Sequence, residues 1–144
     1  MKFIVQRVKH ASVTIDNSVT AKIQQGFLIY MGIHREDDIA ECDKWINKIL
    51  KLRIFSDDHK PINRSIQDVS GEILLVSQFT LYADTKGQNR PSFMLSKEPI
   101  EAERIYNYFL ENLKAKWPKT QAGIFSADMQ IESINDGPVT IILE

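Results

Sequence analysis

The sequence predicts an α+β fold, mostly antiparallel, as a single domain over residues 1–144. Three observations carry this. Strand-like apolar patterns crowd the first third of the chain and return at its end. Two stretches of helical periodicity stand apart between them. No linker, internal repeat or low-complexity tract divides the chain. At 144 residues there is material for one proper core and too little for two. Apolar residues at 43% and charged residues at 26% are ordinary globular values, which removes the disordered and fibrous classes.

In chain order, "KFIVQRV" alternates as a strand, with Phe3, Val5 and Arg7 on one face and Ile4, Gln6 and Val8 on the other. "ASVTIDNSVTAKI" reads as two short strands about a turn at Asp16-Asn17-Ser18. "GFLIYMGI", Gly26 to Ile33, is a continuous apolar run and predicts a buried strand. The period then changes: Ile39, Cys42, Ile46, Ile49 and Leu50 form one helical stripe, and Asp38 with Glu41 offers a capping box. "SDDHKPINRS" has the polar and proline content of a loop. "GEILLVSQFTLY" predicts another strand, whose alternation sets Ser77, Phe79 and Leu81 against Val76, Gln78, Thr80 and Tyr82. "ADTKGQNRPSF" is an exposed loop. A second amphipathic helix follows, with Ala102, Ile105, Tyr106, Phe109, Leu113 and Trp117 on one face and Pro99 in its first turn. After Pro118, "DMQIESI" and "VTIILE" read as strands on either side of Gly137-Pro138.

No run reaches the roughly 18 to 20 apolar residues of a membrane span, and the charged, alternating start reads as a strand and not a signal peptide. The single Cys42 excludes an intramolecular disulfide framework and fits a reducing compartment, so a soluble cytoplasmic protein is expected. Cys42 lies on the apolar stripe of the first helix and reads as a packed core thiol. His10, His34 and His59 have no second ligand at metal spacing, and no metal site is expected. Phosphate-binding glycine loops and nucleophile elbows are missing. A net charge of −1 argues against a grip on long nucleic acid and leaves room only for a local patch or pocket.

Three features remain unexplained by core packing. Ser77, Gln78 and Thr80 close a strand that begins as pure core, so they either emerge at the surface or face a cavity. Arg7 shares a face with Phe3 and Val5, and either reaches solvent at a strand end or serves a site. Gly137-Pro138 sits where proline is tolerated, at a strand start or a turn. If that bond were cis, its neighbouring carbonyls would be aimed as fixed acceptors for a ligand. Composition and spacing leave both readings of each feature open.

Taken together, "SQFTLYADT" (77–85), "RPSF" (90–93) and "NDGPVT" (135–140) resemble the signature stretches of the D-aminoacyl-tRNA deacylases. "VQRV", "GFLIYMGI", "LRIFSD" and "ADMQ" fit the same family in the same order, over essentially the whole chain. The resemblance implies a homodimer with a barrel-like sheet that hydrolyses the ester joining a D-amino acid to the acceptor end of tRNA, accepting some glycyl-tRNA, with no cofactor. It implies that Gly137-Pro138 is cis and enters the partner subunit's pocket, where its main-chain oxygens hold the α-amino group and exclude an L side chain. Val139 belongs to the same motif, and Arg7 matches a family arginine near the pocket. Ser77, Gln78, Phe79 and Thr80 fall on the catalytic motif, with backbone N–H groups around Gln78 and Phe79 facing the ester. Such a site needs no side-chain catalyst if the neighbouring ribose 2′-OH helps activate water. On that view Thr80 hydrogen-bonds and does not attack. Two departures bear on the grip on tRNA: only Lys86 and Arg90 supply positive charge in the loop after "ADT", and Arg64 stands where the family often has leucine. The competing expectations are a non-enzymatic RNA-binding or interaction domain and a general small-molecule esterase.

Overall fold

In the computed structural model, which describes residues 1–144, Lys2–Ile15 form one continuous strand of fourteen residues, β1, where two pieces were expected. Its register against the last strand shifts between Gln6 and Val8 and again between Val8 and Ala11. These bulges change the phase of the alternation, so Phe3 and Val5 face one core while Val8, Ala11 and Val13 all face a second. The hairpin to β2 (Ser18–Ile23) turns on two residues, not three. Asp16 and Asn17 both take positive φ, 48° and 63°, which matches a two-residue hairpin turn to the twist of its strands.

β3 (Gly26–Gly32) runs antiparallel to β1, and β6 (Glu72–Ser77) lies parallel to β3. A three-residue β7 (Thr120–Ala122), too short to show a sequence period, adds parallel to β6. β8 (Gln130–Leu143) pairs antiparallel with β1. The sheet is therefore mixed, with three antiparallel and two parallel pairings. Parallel neighbours need long crossovers, and the two helices supply them. α1 (Cys42–Leu50) lies between β3 and β6, and α2 (Pro99–Lys116) between β6 and β7. The sheet curls nearly into a barrel: the Lys22 N–H of β2 donates to the Gln121 side chain of β7 at 2.9 Å. Within the stretch expected to be loop, β5 (Arg64–Ser65) pairs with β4 (Arg53–Phe55).

Asp38 caps the 3-10 turn before α1 by accepting from the Ala40 N–H at 3.2 Å, one half of the expected capping box. The helices cover one face of the sheet, where Phe3 meets Phe109 and Trp45 with ring centroids 5.4 Å apart in each pair. Val8, Ala11, Val13, Leu28, Leu74 and Val76 fill the barrel on the other face. Tyr106 Oη donates to the Leu75 carbonyl at 3.1 Å and the Trp117 indole to that of Gly71 at 2.9 Å, whereas the buried Trp45 indole N–H has no partner. No helix is long and apolar enough to cross a membrane.

Candidate active site

β6 stops at Ser77, and the alternation expected through Tyr82 does not form. Its neighbour β3 ends at Gly32, so the ladder offers one last acceptor: the Gln78 N–H donates to the Met31 carbonyl at 2.8 Å. The chain then winds into a 3-10 turn over Phe79–Tyr82, closed by the Leu81 N–H on the Gln78 carbonyl at 3.3 Å. The first N–H groups of such a turn have no partner within it, here those of Phe79 and Thr80. Because Met31 takes the Gln78 N–H, the donors this stretch can offer a ligand are shifted one residue on from the Gln78–Phe79 pair the resemblance suggested. Ser96 Oγ donates to the Phe79 carbonyl at 3.0 Å, and Phe79 packs edge-on against Phe93 at 5.0 Å while remaining 58% exposed. The Gln78 side-chain amide donates to Thr80 Oγ1 at 2.5 Å.

Beside this turn lies a cavity of about 550 Å³. Its walls are the end of β6, the segment Ser96–Pro99 leading into α2, and residues Phe125–Met129 ahead of β8. Phe79, Phe93, Phe125 and Met129 make it largely apolar, and its only charged lining residues are Lys97, Glu98 and Asp128. No histidine, cysteine or tyrosine reaches it. A pocket of this kind can hold a flat, partly apolar group and present backbone donors to it, with Lys97, Glu98 and Asp128 as its ionisable side chains.

The second motif behaves differently from a turn. β8 keeps its direction through it, and the Gly137-Pro138 bond is cis. The β1 ladder pairs Gln6 with Thr140 and Val8 with Asn135, so Asp136, Gly137, Pro138 and Val139 all stand opposite Arg7 alone. The four residues bulge out of the sheet with Gly137 and Pro138 exposed. Arg7 is buried beneath them and is not a strand end reaching water. Its Nε donates to the Asp136 carbonyl at 3.0 Å, and Nη1 donates to those of Ile54 at 2.7 Å and Pro61 at 3.2 Å. The Asp136 carboxylate lies 3.4 Å from Nε. Gly137 takes φ of 127°, and a Cβ there would stand 2.9 Å from Arg7 Nη2, so both backbone and space demand glycine.

Within one chain the two motifs do not meet. Ser77, Gln78 and Phe79 line the large cavity; Arg7, Gly137, Pro138 and Val139 do not. Arg7 borders a smaller polar cavity of about 280 Å³ with Asp136 and Arg64. Sequence reasoning passes over Phe93, Ser96 and the Phe125–Met129 wall as site residues, because nothing in local spacing ties these loops to the end of β6.

A profile described as D-Tyr-tRNA(Tyr) deacylase matches residues 4–144. The chain belongs to this deacylase family. A D-aminoacyl-tRNA deacylase of Stutzerimonas stutzeri is 44% identical over 144 residues, covering 100% of this chain and 99% of that one. D-aminoacyl-tRNA deacylases of Photobacterium profundum and Cellvibrio japonicus are each 47% identical, covering 98% of this chain and 97% of theirs. Among solved structures, a protein described as c-Myc DNA Unwinding Element Binding Protein superposes with a TM-score of 0.94 at 43% identity, covering 100% of this chain and 98% of that one. A probable eukaryotic D-amino acid tRNA deacylase shares the fold, with a TM-score of 0.84 at 15% identity over 99% of this chain and 97% of that one. The deacylase assignment thus spans the whole length over which both motifs are distributed.

Proposed function

We infer that this chain is a D-aminoacyl-tRNA deacylase: it hydrolyses the ester between a D-amino acid and the terminal ribose of tRNA, and releases free tRNA and the D-amino acid. The full-length identity to three D-aminoacyl-tRNA deacylases carries the reading. The site's chemistry agrees with it, since the apolar cavity suits a terminal adenosine and adjoins the backbone donors of Phe79 and Thr80.

In this mechanism water attacks the ester carbonyl carbon, helped by the adjacent 2′-OH of the substrate. The Phe79 and Thr80 N–H groups stabilise the oxyanion, a contribution of about 2.7–4 kcal/mol per donor in comparable sites. The bond from the acyl carbon to the 3′ oxygen then breaks, and that oxygen takes up a proton. Gly137 and Pro138 of a partner subunit close the pocket, hold the α-amino group through main-chain oxygens and leave no space for an L side chain. A filter that reads only the α-carbon is indifferent to side-chain identity, and glycine, with nothing to exclude, passes it. Separation of the two motifs in one chain supports a homodimer as the working unit, acting on tRNA in the cytoplasm.

The test is incubation with D-aminoacyl-, L-aminoacyl- and glycyl-tRNA and with a D-amino acid ester lacking the adenosine. Hydrolysis of the D and glycyl substrates alone is expected, abolished when the terminal 2′-OH is replaced by hydrogen. tRNA retention without hydrolysis would make the chain a binding domain, and cleavage of the simple ester would make it a general esterase.

A further inference from the structure

We propose that Asn135 is the positioning residue of the Gly137-Pro138 gate, its side chain fixing where the gate stands. This rests on the reading of that segment as the filter against L-substrates. Between the ladder pairs at Gln6–Thr140 and Val8–Asn135, four residues of β8 have a single residue of β1 opposite them. The sheet therefore cannot set their shape, and side chains must. Arg7 holds the first of the four, through the Asp136 carbonyl. Asn135 holds the last: its Oδ1 accepts the Val139 N–H at 3.0 Å, reaching across Gly137 and Pro138. Its Nδ2 donates to Thr140 Oγ1 at 3.0 Å, tying the two feet of the bulge together. Gln6 Nε2 reaches the same Thr140 oxygen at 3.3 Å and steadies that foot against β1. One amide thus closes the base of the gate and braces its far side, while not itself lining the large cavity.

A steric filter works only where its wall stands, and misplacement by about 1 Å can cost about 10²-fold in such a geometry. Asn135→Leu removes both hydrogen bonds at similar volume. The ratio of L- to D-aminoacyl-tRNA hydrolysis is then expected to rise by at least ~10-fold, with glycyl-tRNA hydrolysis changing in step with that of D-aminoacyl-tRNA, since both are held by the α-amino group and neither meets the wall. Asn135→Asp keeps the acceptor for Val139, and the Thr140 hydroxyl can turn its own proton toward the second carboxylate oxygen. It should restore the wild-type ratio. Amide exchange at Val139 gives a readout independent of catalysis: faster in Asn135→Leu, unchanged in Asn135→Asp. Asn135→Ala serves the same comparison where the leucine variant does not fold. A wild-type L:D ratio in the leucine or alanine variant overturns the proposal, as does equal loss on all three substrates with no rescue by aspartate. If wild type does not hydrolyse D-aminoacyl-tRNA at all, the deacylase reading falls separately, and unchanged Val139 exchange in the leucine or alanine variant overturns the brace on its own.

Discussion

Thr80 carries a hydroxyl within the Phe79–Tyr82 turn, and its surroundings argue against nucleophilic attack. A threonine nucleophile needs a base within about 2.6–3.2 Å to take its proton. The group on Thr80 Oγ1 is the Gln78 amide, which donates to the oxygen and cannot accept a proton from it. Thr80→Val should therefore keep kcat for D-aminoacyl-tRNA within about threefold of wild type, because the backbone N–H remains. A folded but inactive valine variant would restore the hydroxyl to the chemistry. Cys42 is inert for another reason. Burial first, then the carboxylates of Asp43, Asp37, Asp38 and Glu41, push its thiol up from 9.0 to about 11. The folded state thus prefers the protonated thiol, so this contribution to stability is intact below pH 9 and declines as pH rises toward 11. Thermal melts at pH 8 and pH 10.5 should show a loss in wild type that is smaller in Cys42→Ala.

At the scale of elements, the 3-10 turn of Phe79–Tyr82 receives one side-chain hydrogen bond to its backbone, from Ser96. Removing it in Ser96→Ala should loosen the donors, and it also takes one hydroxyl from the cavity wall. Loss of about 1 kcal/mol of positioning predicts roughly fivefold lower kcat with KM nearly unchanged. A rise in KM alone would place Ser96 in substrate binding. The same turn shows where the sequence was legible and where it was not. α1, α2 and β3 announce themselves because each buries one stripe or one full run against the sheet, and burial writes a period into sequence. "SQFTL" alternates as a strand would, and what stops it is the end of β3 at Gly32, a neighbour in space that no local spacing in the motif reveals. Arg7 was equally opaque: its acceptors Ile54, Pro61 and Asp136 come from segments that meet only in the folded chain. Family resemblance names candidate residues, whereas their hydrogen bonds are read only from the fold.

For the molecule as a whole, the decisive fact is that the cavity beside the Phe79–Tyr82 turn takes no lining residue from Arg7, Asp136, Gly137, Pro138 or Val139 of the same chain. β8 carries the gate along a strand that pairs only with β1, and leaves Ile134 and Ile142 exposed at 48% and 60%. A strand with one free edge and exposed apolar residues is a surface that a second copy can cover. If the sites are shared, two defective chains should complement each other. One chain would carry Gly137→Ala, which strains the gate and crowds Arg7 while leaving the cavity intact. The other would carry Phe93→Asp and Ser96→Ala, which spoil the cavity and leave the gate intact. Each homodimer is then defective at both of its sites. Random mixing makes about half the dimers mixed, and each mixed dimer has one wild-type site, so about a quarter of all sites recover. D-aminoacyl-tRNA hydrolysis with L-rejection should return to about that fraction on co-expression. Activity no greater than the average of the two homodimers would instead require each chain to complete its own pocket, and the gate would have to swing across its own molecule to do so.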